Sequence, residues 1–185
     1  GRLLSLAWCD GDVAVVDTQN MNVICRFEGM GWIVSISWCP FTQIFAAITR
    51  KGVIKIIDPF KKGPFIEFMA HGDAGRCVEW MRNEALFGQR TLLSGGNDGV
   101  LKIWDPLEGE LVDEFNYNID VCRIYQSADG TCALIALPTQ TVLFNYLSDF
   151  KMKLIHDASI SEFVLNAWNH DGTKFAAGAN KDDTG

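Results

Sequence analysis

A short hairpin signature, repeated at a regular interval, is the feature that most constrains the fold of this chain. Its best copy, from Leu92 to Asp105, is Leu-Leu-Ser-Gly-Gly-Asn-Asp-Gly-Val-Leu-Lys-Ile-Trp-Asp. An apolar strand, an Asn-Asp-Gly turn and a second apolar strand follow one another there, which predicts a β-hairpin. Weaker copies end at Asp17 and Asp58, so the closing aspartates lie 41 and 47 residues apart. A repeat of this length predicts a chain built from similar structural units.

A second marker has the same period and lies between the hairpins. Four apolar segments end in an aromatic residue, at Trp38, Trp80, Tyr125 and Trp168, with steps of 42, 45 and 43 residues. Each unit therefore holds four short strands. The strands expected in the two clearest units are 32–38, 44–49, 53–58 and 64–68, and then 76–81, 91–96, 100–105 and 110–115. Because no apolar pattern with a helical period is sustained, the sequence predicts an all-β propeller, with a two-sheet sandwich as the alternative.

Composition limits the possible functions. The chain has 185 residues, 48% of them hydrophobic, which is enough for a substantial core. No apolar run reaches the roughly 18 residues of a membrane span. The net charge of −7, from 23 acidic and 16 basic residues, argues against direct nucleic-acid binding, since such binding depends on neutralising phosphates.

The six cysteines are spread along the chain and form no Cys-x-x-Cys pair. Most of them fall in apolar segments, so we expect buried free thiols in a reducing compartment. The three histidines do not cluster with the cysteines at ligand spacing. The sequence therefore predicts no metal site and no cofactor.

Trp104-Asp105, with His71 placed 33 residues before the tryptophan, resembles the WD-repeat β-propeller family. The family pattern is a Gly-His pair followed by a Trp-Asp pair, and this chain has Ala70 where the family has glycine. The order of motifs in the middle units is also similar to that of coronins, the actin-binding propellers. Propellers of nuclear mRNA-export and checkpoint proteins are about equally similar there.

The resemblance implies a hydrogen-bonded structural tetrad within one unit, formed by His71, Ser94, Asp98 and Trp104. Three of these residues are also the types found in a hydrolase triad. A buried hydroxyl and the absence of a Gly-x-Ser-x-Gly motif favour the structural role, so we predict no catalytic residues and no enzyme. In the preceding unit Lys51 and Ile57 replace the aspartate and the tryptophan, so apolar packing is expected to hold that unit together.

The resemblance also implies a ring of seven or eight blades, whereas this chain supplies about four. We expect one partial propeller over residues 1–185. Its units are predicted at about 1–28, 29–69, 70–116, 117–156 and 157–185, the first and last being partial. Unpaired blade faces would be adhesive, so we expect either a longer protein or a partner that completes the ring.

In this family, partners often dock on the face formed by the turns between second and third strands and the loops before first strands. The positions on that face that we predict to bind partners are Trp8, Trp32, Arg50, Lys51, Arg76 and Asn97. Tryptophan and arginine are frequent interface anchors. The alternatives are that the two tryptophans pack between blades and that the cations are solvated.

The predicted function is that of a non-catalytic protein–protein interaction scaffold within a larger assembly. The alternatives are an actin-binding, coronin-like propeller of the cytoskeleton and a propeller adaptor in nuclear transport or RNA–protein complexes. The expected partners are other proteins, with actin as an alternative. The expected location is the cytoplasm, with the cytoskeleton and the nucleus as alternatives.

Overall fold

The computed structural model describes residues 2–61, 63–83, 90–146, 151–157 and 164–179. These residues form strands and turns and contain no helix, so the predicted all-β class is confirmed. The strands are β1 (Leu3–Ala7), β2 (Val13–Asp17), β3 (Val23–Phe27), β4 (Ile33–Trp38), β5 (Phe45–Thr49), β6 (Val53–Ile57), β7 (Pro64–Met69), β8 (Gly75–Trp80), β9 (Leu92–Gly96), β10 (Val100–Asp105), β11 (Glu110–Asn116), β12 (Arg123–Gln126), β13 (Cys132–Ala136), β14 (Gln140–Asn145), β15 (Lys151–Asp157), β16 (Val164–Trp168) and β17 (Phe175–Ala179).

The strands form consecutive antiparallel sheets in chain order. We call them the first blade (β1-β2-β3), the second (β4-β5-β6-β7), the third (β8-β9-β10-β11), the fourth (β12-β13-β14-β15) and the fifth (β16-β17). The strands that begin successive blades, β4, β8, β12 and β16, lie next to one another. These are the inner strands of a propeller, and the hairpins extend outward from them. Residues 180–185 of the last predicted unit lie outside the described residues.

The middle strands of each blade are buried on both faces. Every residue of β5 and of β9 is buried, which explains why their sequences are continuously small or apolar rather than alternating. The outermost strand β7 alternates between half-buried and exposed positions, and β11 is exposed along most of its length. In the second and third blades, burial therefore decreases from the middle strands to the outer edge.

Apolar clusters fill the spaces between neighbouring blades. In the third blade Leu92 and Trp104 pack toward the second blade, where Ile54 and Ile56 belong to the same cluster. Residues of the opposite face of that blade, including Leu93, pack toward the fourth blade. A third cluster joins the first and second blades. The second and third blades are thus held by burial on two faces, at roughly 25 cal/mol for each Å² of apolar surface removed from water.

Hydrogen bonds from side chains connect the inner strands of successive blades. The backbone N–H of Trp80 donates to the Ser37 hydroxyl at 3.0 Å, and the Gln126 amide nitrogen donates to the Trp80 carbonyl at 2.6 Å. The Trp168 indole N–H likewise donates to the Tyr125 carbonyl at 2.7 Å. The three side chains lie within one position of the aromatic residue that closes each inner strand. Side chains therefore satisfy backbone groups that no ladder between blades could reach.

Glycines in the turns between second and third strands hold the loop that leads into the next blade. Gly52 and Gly99 both adopt a positive φ, +77° and +76°. Their carbonyl oxygens accept hydrogen bonds at 2.8 Å from the backbone N–H groups of Ala70 and Tyr117 respectively. Gly11 makes the same contact with Met30 at 2.8 Å. One backbone arrangement therefore recurs at three junctions between blades.

The expectation of buried thiols is wrong for part of the cysteine set. All six cysteines are free, but only Cys39 and Cys77 are buried, while Cys9 is exposed because it lies in the turn after β1. The other three are half-buried. Across the described ranges, no helix is long and apolar enough to cross a bilayer.

Candidate functional site

The structure brings His71, Ser94, Asp98 and Trp104 together within the third blade. The His71 Nδ1 atom lies 2.9 Å from both carboxylate oxygens of Asp98, and its Nε2 atom lies 2.8 Å from the Ser94 hydroxyl. The Trp104 indole N–H donates to the same hydroxyl at 2.9 Å. The loop before β8 supplies the histidine, β9 the serine, the next turn the aspartate and β10 the tryptophan. The hydrogen bonds therefore link the loop before β8 to β9, to the turn that follows β9 and to β10.

The protons of this network follow one direction. Trp104 donates to Ser94, so the serine hydroxyl hydrogen points to His71 Nε2, and the Nδ1–H of His71 donates to Asp98. The His71 side chain is 0% exposed. Burial lowers the pKa of His71 below its ordinary value, whereas the nearby Asp98 carboxylate opposes that shift. A neutral imidazole with both nitrogens hydrogen-bonded is the result.

The chemistry of a nucleophile does not fit this arrangement. Ser94 is fully buried, and its oxygen is shared between the imidazole and the indole N–H. A substrate carbonyl has no space to approach that oxygen, and nucleophilic catalysis requires such an approach. In the described part of the chain, no group of three or more His, Cys, Asp and Glu residues is placed to hold a metal ion.

A groove of about 720 Å³ crosses the second, third and fourth blades at the start of their inner strands. We call it the arginine groove. Its lining is mixed: cations, amides and one carboxylate lie beside apolar side chains and backbone. The lining residues used below are Trp32, Val34, Arg50, Arg76, Asn97, Asp120, Arg123 and Pro138. Three blades thus contribute to one concave surface.

On the second-blade side of the arginine groove, a cation packs on an aromatic ring. The Arg50 guanidinium lies 4.7 Å from the centre of the Trp32 ring. Trp32 is 51% exposed, so the interpretation that it packs between blades is wrong. Cation–π contact holds the arginine in place while leaving much of the tryptophan surface available.

On the third-blade side, Arg76 bridges two loops. Its Nε donates a hydrogen bond to the Asn97 side-chain oxygen, and its guanidinium lies 3.3 Å from the Asp120 carboxylate. About half of the Arg76 side chain, 48%, remains exposed. These contacts orient the arginine toward the groove, although an ion pair this exposed adds little stability.

Four of the six predicted partner-binding residues line the arginine groove: Trp32, Arg50, Arg76 and Asn97. Trp8 and Lys51 are exposed but lie outside it. The sequence reasoning missed Asp120 and Arg123, which the fourth blade supplies. Aligning the starts of the first strands would have found them, because Arg76 and Arg123 both lie at such a start.

A second cavity, of about 420 Å³, lies at the other end of the inner strands. Glu79, Gln126 and Trp168 are among its lining residues. Burial raises the pKa of Glu79, and the Arg82 guanidinium, 3.9 Å away, opposes that shift. Its lining side chains also make the bonds between inner strands described above, so this cavity is largely a structural junction.

Comparison with known proteins follows the same region of the chain. Residues 64–105, which include the whole hydrogen-bonded network, match the family described as WD domain, G-beta repeat. The chain is similar to Protein SLOW WALKER 1 of Arabidopsis thaliana, at 24% identity over 111 residues. It is also similar to the Ribosome biogenesis protein WDR12 homolog of Chlamydomonas reinhardtii, at 29% identity over 76 residues. These matches cover 60% and 40% of this chain, but only 20% and 17% of the two relatives.

A solved structure has the same fold. A chain from the Crystal Structure of Mitotic Checkpoint Complex superposes with a TM-score of 0.81 at 20% sequence identity. The match covers 99% of this chain and 57% of that one. The blades, the inner strands and this match define the class as a β-propeller. Within that fold, residues 64–105 are the part of the chain that matches the WD-repeat family.

Proposed function

We propose that the chain is a non-catalytic protein-interaction scaffold that engages its partner through the arginine groove. One observation carries the proposal: Trp32, Arg50 and Asn97, from loops and turns, and Arg76, from the start of β8, belong to two blades but line one concave surface. Residues of these types are frequent interface anchors. A groove spanning three blades also offers the kind of rigid, concave surface that repeat proteins use for binding.

The comparisons support the coarser part of this proposal. The similar solved structure belongs to a multi-protein assembly, the mitotic checkpoint complex. Because the chain covers a fifth or less of its curated relatives, the activity of the whole protein is proposed from the groove and not from their names. The location in the cytoplasm, with the cytoskeleton and the nucleus as alternatives, remains a prediction.

The test is a double charge reversal, Arg50→Glu with Arg76→Glu, in the full-length protein. Tagged wild type and variant are used to capture partners, and the recovered proteins are compared by quantitative mass spectrometry. We expect the variant to lose the partners that the wild type recovers. Undiminished recovery would reject the groove as the docking surface.

Arg26→Glu is the matched control, because Arg26 is an exposed arginine on the outer strand β3, far from the arginine groove. It changes the net charge in the same direction, by half as much. Thermal melts of all proteins show whether the blades stay folded. Loss of partners in Arg26→Glu as well would attribute the effect to net charge alone.

A second candidate function is a propeller adaptor in RNA–protein complexes. It is favoured by the relative that carries ribosome biogenesis in its name. Recovery of ribosome-assembly proteins with the wild type, and their loss with the double variant, would support it. Recovery of actin under the same conditions would instead support the coronin-like alternative.

A further inference from the structure

The charge of the arginine groove is opposite to that of the chain. The whole chain has a net charge of −7, whereas the groove is lined by Arg50, Arg76 and Arg123 and by one carboxylate, Asp120. Positive potential is therefore concentrated in a concave surface that three blades share. A charged cleft on a surface of opposite sign attracts ligands of complementary charge and repels others.

The arginines differ in how far they are already engaged. Among the described residues, no carboxylate lies within 4.0 Å of the Arg123 guanidinium, and Arg123 is exposed. Arg76 shares its charge with Asp120, but about half of its side chain stays exposed. Arg50 is held on the Trp32 ring and has no acidic partner in the same described set. Two arginines thus lack an acidic partner, and a third is only partly paired.

Apolar surface borders these cations. Trp32 is 51% exposed and Val34 is 39% exposed at one side of the groove. Pro138 lies half-buried at the fourth-blade side. A ligand that fills the groove therefore needs carboxylates for the arginines and at least one apolar side chain for this border. An extended peptide satisfies both requirements, because its successive side chains point in opposite directions.

The same features disfavour a nucleic acid. Asp120 interrupts the row of arginines in the lining, and the single tryptophan there is already covered on one side by Arg50. Single-stranded nucleic acid is held by several stacking rings along a continuous basic track. The groove offers neither, and the surrounding chain is acidic.

We propose that the arginine groove binds an extended acidic segment of a partner protein, with an apolar side chain seated between its carboxylates. This inference rests on the proposed scaffold function and specifies its partner. Arg76 and Arg123 contact the carboxylates, and Trp32 contacts the apolar side chain.

The experiment measures binding of labelled peptides to the full-length protein by fluorescence anisotropy. The probe is a short peptide of glutamate and aspartate around a central leucine. Three matched probes replace the leucine by serine, replace the acids by lysine, or replace the peptide by an oligouridylate. We expect only the acidic peptides to bind, the serine form several-fold more weakly, with affinity that falls as salt rises from about 0.05 to 0.2 M.

The variants assign the effect to the groove. Arg76→Glu with Arg123→Glu should weaken binding about tenfold or more, and Asp120→Asn should strengthen it about threefold. Arg123→Gln is the variant least able to disturb folding, because no ion pair is lost, and it should still weaken binding. Arg26→Glu, outside the groove, should leave the affinity unchanged.

Tighter binding of the oligouridylate than of the acidic peptide would overturn the proposal, as would equal affinity in Arg123→Gln and wild type. Partner capture and peptide binding together distinguish a failure of this proposal from a failure of the scaffold function. If captured partners are lost in the Arg50/Arg76 double variant while acidic peptides do not bind, the groove docks a partner of another chemistry. If acidic peptides bind but capture is undiminished in that variant, the groove has a ligand and the scaffold surface lies elsewhere.

Discussion

The second and third blades solve the same structural problem with different chemistry. In the third blade Ser94 faces Lys102 across the β9–β10 pair, and in the second blade Ala47 faces Lys55 across β5–β6 in the same register. The serine belongs to the buried polar network, whereas Ala47 belongs to an apolar cluster with Met30 and Ile57. Ile57 stands where the third blade has Trp104, and all three apolar residues are buried.

The comparison shows that the polar network is not needed to form a four-stranded blade. Both blades keep four strands in the same order. Each also contains a turn glycine whose carbonyl accepts a hydrogen bond from the loop that leads into the next blade. The blade geometry therefore follows from strand patterning and turn glycines, which the two blades share. The polar network adds directional bonds inside one blade, and fully satisfied networks of this kind fix side chains in a single arrangement.

The largest loss of stability is expected from a substitution at the junction between these two blades. Gly52 has a φ of +77°, and a Cβ there would overlap the His71 carbonyl oxygen and lie 2.7 Å from that of Asp73. Gly52→Ala should therefore cost about 2–5 kcal/mol in the free energy of unfolding, from backbone strain and from the clash. Chemical denaturation of the purified protein measures this cost.

Gly29→Ala is the matched control for that junction. Gly29 also has a positive φ, +66°, but no described atom lies within 4 Å of a Cβ built on it. It should lose only the strain, about 1–2 kcal/mol. Equal losses in the two variants would mean that the contact of Gly52 with the His71 loop does not stabilise the junction.

The next largest loss of stability is expected when the polar and apolar residues at the equivalent positions of the two blades are exchanged. Ser94→Ala leaves His71 Nε2 and the Trp104 indole N–H without their shared partner, so we expect a loss of about 2–4 kcal/mol. The reverse change, Ala47→Ser, places a hydroxyl among apolar side chains and should cost less, about 1–2 kcal/mol. The double variant should show additive losses, because the two sites lie in different blades. An unchanged free energy of unfolding in Ser94→Ala would mean that the polar network does not stabilise the third blade.

Much of the fold could be predicted because its signals are local and periodic. The strands expected at 53–58 and 100–105 are observed at Val53–Ile57 and Val100–Asp105. Apolar runs bounded by glycine turns are sufficient for such strands. What could not be predicted was which contacts join the blades. The Ser37 hydroxyl accepts from Trp80 and the Gln126 amide donates to Trp80, and only the fold brings these residues together.

A moderate effect is expected from the exposed end of the network. Asp98→Ala removes the acceptor of the His71 Nδ1–H, which should cost about 1–3 kcal/mol without removing any catalytic activity. Lys51 occupies the equivalent turn position in the second blade and is exposed, so Lys51→Ala should be close to neutral. Thermal melts of the two variants give the comparison, and an unchanged melting temperature for Asp98→Ala would contradict a structural role for the carboxylate.

The site was harder to predict than the fold. Tryptophan and arginine in loops marked Trp32, Arg50 and Arg76 as candidates, but the same reasoning also selected Trp8 and Lys51, which lie outside the arginine groove. Residue type indicates what a side chain can bind, whereas membership of a shared cavity depends on how successive blades are placed. For that reason Arg123 was missed, although no carboxylate among the described residues pairs with it.

The smallest effect should appear as a pH dependence that the third blade has and the second lacks. Burial lowers the pKa of His71 in the folded chain below its value of 6.5 in the unfolded chain. Between these two values the unfolded state binds more protons, so stability is lost as pH falls below about 6.5, by at most about 1.4 kcal/mol per pH unit for one group. Glu79, whose pKa is raised by burial, acts in the opposite direction.

The measurement is therefore the difference between wild type and His71→Gln in unfolding free energy from pH 7 to 5. The difference should shrink as pH falls, because the variant has no imidazole to protonate. A difference that is constant over this range would mean that His71 is not held neutral by its burial.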